Sequence, residues 1–245
     1  MSRVKYLKST LREVIYQLRF PKILKLKEEN PVAFQELVID KYPIYNVEKN
    51  ETVVKFNGKQ QQLYENNHSF ICASGRTKIN LTSSFIAVST LEYERWEVFK
   101  SEIEDILTKF YSCYTIPGIQ RIGLRYKNVI VRGQLGLAAN PWSELLDVSI
   151  LGPLATRTDI SRYNTEFEIQ NADNCFTTRH YELVKDRDTQ ELAMLLDCDY
   201  YSVGFFKIED ISVLSDKLHD LSQKFIAESH KEVLLTAMQP QELPE

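Results

Sequence analysis

Residues 93–114, YERWEVFKSEIEDILTKFYSCY, set Trp96, Phe99, Ile103, Ile106 and Phe110 at alternating steps of three and four. That spacing lines one face of a helix. Residues 209–229, EDISVLSDKLHDLSQKFIAES, do the same with Ile211, Leu214, Leu218, Leu221 and Phe225. The stripes are offset by 115 residues throughout, from 96 to 211 and from 110 to 225, and Lys109-Phe110 answers Lys224-Phe225. Amphipathic helices commonly share such spacing, so the reading turns on whether other landmarks repeat in the same order.

They do. Leu18-Arg19-Phe20 closes an alternating run from Val14, and Leu124-Arg125-Tyr126 closes one from Gln120, at an offset of 106. Asn30-Pro31 opens the helical run AFQELV, and Asn140-Pro141 opens WSELL, at an offset of 110. Asn as N-cap with Pro at the first helical position is a strong helix start. Offsets that grow from 106 to 115 are those of a duplication with loop insertions. Between the landmarks, Thr52–Phe56, Ser69–Ala73, Lys78–Thr82 and Phe85–Leu91 read as strands, with a hairpin turn at Ser74-Gly75-Arg76-Thr77. Tyr163–Gln170, Phe176–Val184 and Leu192–Tyr201 are their counterparts, with a polar turn at Lys185–Thr189.

Each half is then a strand, a short helix, three or four antiparallel strands and a long helix. The fold class is α+β, an antiparallel sheet covered by two long helices. TBP-like and helix-grip folds share this order, an analogy at the level of fold alone. The first repeat is expected over residues 1–116 and the second over 117–238, parted where Pro117-Gly118 ends the first long helix. So short a linker makes them one coupled unit. Residues 239–245, with Pro240 and Pro244, are expected to be a disordered tail. The segment from Gln60 to Asn67 reads as a polar loop.

Composition bounds the function classes. The 245 residues are 43% hydrophobic and 26% charged, ordinary for a globular chain. The net charge of −4 argues against a protein that coats polyanions, which needs a basic surface. No run approaches the ~18 apolar residues of a membrane span, and the first twenty residues lack the apolar core of a signal peptide. A cytoplasmic location is therefore expected, where the N-x-S/T matches at Asn50, Asn67 and Asn80 carry no meaning. Cys72, Cys113, Cys175 and Cys198 form no C-x-x-C pair and read as small buried residues. His68, His180, His219 and His230 form no metal-ligand pattern, and the nucleotide-binding and nucleophile-elbow motifs are missing. No cofactor, metal or catalytic residue is expected, and an enzyme is the less favoured reading.

The block Arg121-Ile122-Gly123-Leu124-Arg125-Tyr126-Lys127-Asn128 resembles the R-I-G-L-R-Y-x-N block of a family of uncharacterised prokaryotic proteins of about this length. Three other pieces are similar: Glu13 through Pro21; Tyr93, Arg95, Trp96 and Phe99; and Leu218, His219 and Phe225. The family's Pro-Pro-Ile-like lead is replaced here by Ser9-Thr10-Leu11. The family's patchy occurrence resembles that of accessory genes, including defence and toxin–antitoxin loci. The resemblance brings no catalytic residues with it.

The candidate binding residues are Arg19, Arg121, Arg125, Asp197 and Asp199. Strand alternation puts Arg121, Gly123, Arg125 and Lys127 opposite the apolar Ile122, Leu124, Tyr126 and Ile130. One reading is a face where Arg19 and Arg125 fork onto a carboxylate or phosphate, with Gly123 letting the ligand approach. The favoured reading is structural, with Asp197 and Asp199 as partners for those arginines. A divalent-cation site from Asp197, Asp199, Glu191 and His180 is the least supported. His219 reads as a stripe-boundary residue without a base-orienting partner, Trp96 and Trp142 as core anchors, and Arg3, Lys5, Lys8 and Arg12 as a solvated basic arm.

Three functions follow, in order. The first is a non-catalytic binding or regulatory protein that uses a sheet face or a protein partner. The second is a nucleic-acid-binding protein with a saddle-like duplicated sheet, and the third an enzyme of unfamiliar type. A homo-oligomer through a sheet edge is compatible with all three.

Overall fold

The structure, a computed structural model, describes residues 4–56 and 59–242. In chain order the elements are β1 (Val4–Tyr6), β2 (Leu11–Arg19), α1 (Leu24–Glu28), α2 (Val32–Val38), β3 (Ile44–Phe56), β4 (Lys59–Ile71), β5 (Thr77–Leu81), β6 (Phe85–Thr90) and α3 (Trp96–Cys113). The second half holds β7 (Ile119–Ile130), α4 (Trp142–Leu145), α5 (Val148–Leu151), β8 (Asn164–Gln170), β9 (Cys175–Lys185), β10 (Leu192–Phe206), α6 (Ile211–Ser229), α7 (Glu232–Ala237) and β11 (Pro240–Glu242). The α+β class is as expected. A nine-stranded antiparallel sheet runs in the order β3-β4-β5-β6-β2-β7-β10-β9-β8, and β1 and β11 pair separately.

That order carries the internal repeat. In each half the opening strand lies beside the half's own last strand, β2 beside β6 and β7 beside β10. In each half a long helix then follows that last strand. The chain divides into two compact units of discontinuous segments, Ile15–Gly123 with Ser202–Leu214, and the remainder. The division crosses β2, β7, β10 and α6 instead of falling at Pro117-Gly118.

In the first unit α3 buries Trp96, Phe99, Ile103, Ile106 and Phe110, the face its spacing requires. Phe110 is the hub, with ring centroids 5.2 Å from Phe20, 6.3 Å from Phe34 and 5.3 Å from Tyr114. Phe34 reaches Phe70 of β4 at 5.3 Å, edge to face, so α2 is tied to both helix and sheet. Gly75, at φ +73, supplies the left-handed turn of the β4–β5 hairpin.

The second unit repeats the plan around Phe225, the counterpart of Phe110. Its ring stacks on Tyr181 of β9 at 6.3 Å. The buried line of α6 differs from the expected one. It is Ile211, Ser215, Leu218, Ser222, Phe225 and Ser229, while Leu214 and Leu221 are only half-buried. Serines are buried at low cost here because their hydroxyls bond back to the helix: Ser222 Oγ donates to the His219 carbonyl and Ser229 Oγ to the Phe225 carbonyl, each at 2.6 Å. A hydrophobicity pattern is blind to that arrangement.

Four further expectations are corrected. The N-caps are Pro31 and Pro141, not the asparagines before them, and neither helix has a side-chain cap. Asn140 instead donates to Glu144 Oε2 at 2.7 Å. The segment from Gln60 to Asn67 is strand, paired residue by residue with β3 from Glu48 to Lys55, because backbone ladder bonds do not depend on side-chain polarity. The chain end is not disordered through Glu242: Tyr6, Lys5 and Val4 pair with Pro240, Gln241 and Glu242. The same pairing pins the basic arm around Lys5, while Arg3 and residues 243–245 lie outside the described residues.

Candidate functional site

Alternation along β7 and β10 builds the site. Ile122, Leu124 and Tyr126 are buried on one side, and Arg121, Arg125 and Lys127 are half-buried on the other. On β10, Leu196, Cys198 and Tyr200 are buried, and Asp197 and Asp199 take the opposite parity.

Within the second unit Arg125 meets Asp197 as a fork. Arg125 Nε donates to Oδ1 and Nη2 to Oδ2, both at 2.6 Å. The Arg125 side chain is 43% exposed and that of Asp197 only 7%. The guanidinium is held above its ordinary pKa, first by the Asp197 hydrogen bond, against an opposing contribution from burial, then by the charges of Asp197, Asp199 and Glu13. Beside it Lys127 Nζ lies 2.8 Å from Glu13 Oε2. The structure thus brings Arg125 and Asp197 together, with Asp199 adding to the field, in the structural pairing favoured from sequence.

Arg19 and Arg121 belong to the first unit and share one acceptor. Arg19 Nε donates to Gln17 Oε1 at 3.0 Å, and Arg121 Nη1 reaches the same oxygen at 3.4 Å. Arg19 therefore takes an amide where an aspartate was expected. Gly123 opens space for Arg121 and not for a ligand: a Cβ there would lie 2.4 Å from Arg121 Nη1. No protein-family model matches the chain, and no curated protein matches it. The resemblance at Arg121–Asn128 thus stands on its residues alone.

The cation grouping is not assembled. Glu191 accepts from the Gly133 N–H with both carboxylate oxygens, at 3.1 and 3.0 Å. His180 Nε2 lies 3.7 Å from Glu182 Oε2 on its own strand. Among the described residues no three His, Cys, Asp or Glu side chains converge on a metal position.

Other expectations need adjusting. His219 does have a partner, the Tyr126 hydroxyl at 2.9 Å from Nδ1. Trp96 and Trp142 are buried, Trp142 beneath the Arg132 guanidinium at 4.6 Å. Cys175 and Cys198 are buried, but Cys72 and Cys113 are not. Cys72 sits in the β4–β5 turn, where its Sγ accepts from the Thr77 N–H at 3.2 Å and lies 3.3 Å from Ser74 Oγ. Burial would raise this thiol, yet hydrogen bonds from the Ser74 side chain and the backbone at Thr77, Arg76 and Ser74 carry it below its ordinary value. Sequence reading missed Cys72 because its donors are mostly backbone groups. It also missed Arg179, a cation at a strand parity otherwise filled by Cys175, Thr177 and Tyr181.

Proposed function

We propose that this is a non-catalytic binding protein of a prokaryotic accessory system, of the defence or toxin–antitoxin kind, that acts through the helix-free face of its sheet on a protein partner. One observation carries the reading. On that face of the second unit the cations are neutralised within the chain, Arg125 by Asp197 and Lys127 by Glu13. Glu166, Glu168 and Glu182 extend the same face outward along β8 and β9. Carboxylates outnumber cations there, so the face suits a basic protein surface and not a phosphate backbone. Aromatic surface lies among the charges, where Phe176 stacks on Tyr201 at 5.5 Å. Interfaces combine aromatic anchors with charged rims in this way. The accessory-system part rests on the resemblance at Arg121–Asn128.

The test compares the native chain with a Glu166→Lys, Glu182→Lys double variant. Each is purified from its native host at low salt. A stoichiometric basic partner that the native chain retains and the variant loses is the expected result. Retention of the same proteins by both chains would refute the use of this face. Nucleic acid that co-purifies and is released by salt would favour the second reading.

A further inference from the structure

β8 ends the nine-stranded order, so among the described residues no strand pairs with its outer side. The ladder with β9 decides which of its backbone groups face outward. At the two ends of that ladder the Leu183 N–H donates to the Tyr163 carbonyl at 3.0 Å and the Asn171 N–H to the Cys175 carbonyl at 2.7 Å. Antiparallel ladder bonds recur at every second residue. Thr165, Phe167 and Ile169 therefore turn their N–H and C=O toward β9, while Asn164, Glu166, Glu168 and Gln170 turn theirs away. Those four residues are all exposed, so the outer backbone is open to an incoming strand. On the side of α6, the Phe167 ring lies 5.7 Å from that of Tyr181, which stacks on Phe225. Phe167 is 38% exposed where Tyr181 is 0% exposed. The apolar side of the sheet thus runs out to an uncovered edge instead of closing before it.

Side-chain chemistry selects the occupant. On the helix-free side the outward-turned residues Glu166 and Glu168 carry carboxylates, and Glu182 of β9 lies opposite Asn164. Glu168 accepts from the Tyr201 hydroxyl, and His180, the partner of Glu166 across the ladder, lies 3.7 Å from Glu182. A second copy of β8 in full antiparallel overlap would set Glu166 against Glu168 twice, and like charges directly opposite are destabilising. We propose that β8 accepts an antiparallel strand of a partner protein in which basic and apolar side chains alternate. The basic side chains stand opposite Glu166 and Glu168, and the apolar ones pack beside Phe167. The reverse parity is disfavoured, because cations there would approach Arg179, the partner of Phe167 across the ladder. Main-chain bonds give strand addition its affinity, and alternate side chains give it specificity. The proposal rests on the reading above and deepens it, since it names the element by which a basic partner engages this chain.

Fluorescence anisotropy with the full chain tests the proposal. The probe is a labelled, end-blocked peptide of 7 residues, the length of β8, in which lysine and valine alternate. The native chain should bind it saturably. In the antiparallel pairing the lysines turn their backbone N–H toward β8 and the valines turn theirs away. Methylating the backbone nitrogens of two lysines should weaken binding roughly 5–100-fold, the loss of two hydrogen bonds. Methylating those of two valines should leave it unchanged. Glu166→Gln keeps the outward N–H and should weaken the parent peptide roughly 2–5-fold. Equal binding of the parent and lysine-methylated peptides would overturn strand addition while leaving the acidic face as a side-chain contact. Absence of saturable binding up to about 1 mM would overturn it too, whereas the reading of the face falls only with its own co-purification test. Concentration-dependent dimerisation of the native chain that Glu166→Pro abolishes would also overturn it, by giving the edge to a second copy; proline there removes an outward N–H and spares the ladder with β9.

Discussion

Arg125→Met and Asp197→Asn should differ in cost, although they break the same pair. Asp197 is 7% exposed and accepts two bonds at 2.6 Å from one guanidinium. Removing Arg125 strands a buried carboxylate close to Asp199 and Glu13. Breaking a fully buried pair costs about 3–5 kcal/mol. Water reaches the Arg125 side, which is 43% exposed, so the figure falls to about 2–3 kcal/mol. Removing the Asp197 charge leaves a guanidinium that can rehydrate, at about 1–2 kcal/mol. With a urea slope of about 3 kcal/mol/M for a chain of this size, the midpoints should fall by roughly 0.7–1 M and 0.3–0.7 M. Urea unfolding at pH 7, followed by circular dichroism, gives both values. The double variant gives a coupling energy of about 1–2 kcal/mol. Equal costs, a reversed order, or a coupling near zero would show that the pair behaves as an exposed ion pair and that burial of Asp197 does not govern it.

His230 is buried with Nδ1 2.9 Å from Ser229 Oγ, and burial lowers its pKa from 6.5 to about 4. Its folded value lies below its unfolded one, so its contribution is complete above pH 6.5 and is lost as pH falls toward 4. The native chain should lose about 2–3 kcal/mol more than His230→Gln between pH 7.5 and 4.5 in urea titrations, and parallel curves would dismiss the effect. Cys72 should be the first of the four thiols to alkylate at neutral pH, with Cys175 and Cys198 last, as read by peptide mass spectrometry on the native chain. Ser74→Ala should slow Cys72 alone. Ser222→Leu should cost about 1–3 kcal/mol by overpacking α6 against the sheet, whereas Ser222→Ala should stay within about 1 kcal/mol. If both variants melt at the native temperature, the tight contact of α6 is wrong.

Much of the fold was legible because its signals are periodic. The α3 stripe, the strands β5 to β10 and the repeated Lys-Phe all rest on side chains that are apolar where buried. Phe110 and Phe225 became the ring hubs of their units for that reason. What escaped has a different physical origin. The buried serines of α6 depend on bonds to the helix's own carbonyls, the strand before Asn67 on its ladder with β3, and the chain end on pairing with β1. None of these leaves a hydrophobic trace.

The site shows where alternation stops being informative. It placed Arg125 correctly on the side away from Leu124 and Tyr126, and it offered Asp197 as a partner. It could not separate Arg19 from Arg125, since both follow a leucine and precede an aromatic residue. Their fates differ because of neighbouring strands: Arg19 finds Gln17 on its own strand, while Arg125 finds an aspartate on β10. Arg179 breaks the pattern outright, a cation on the buried parity. A cation in an apolar row costs stability unless something compensates it. In Arg125 the compensation is intramolecular. In Arg179 the chain supplies the Phe225 ring and the Tyr181 phenol but no negative charge, a kind of compensation that alternation along a strand cannot reveal.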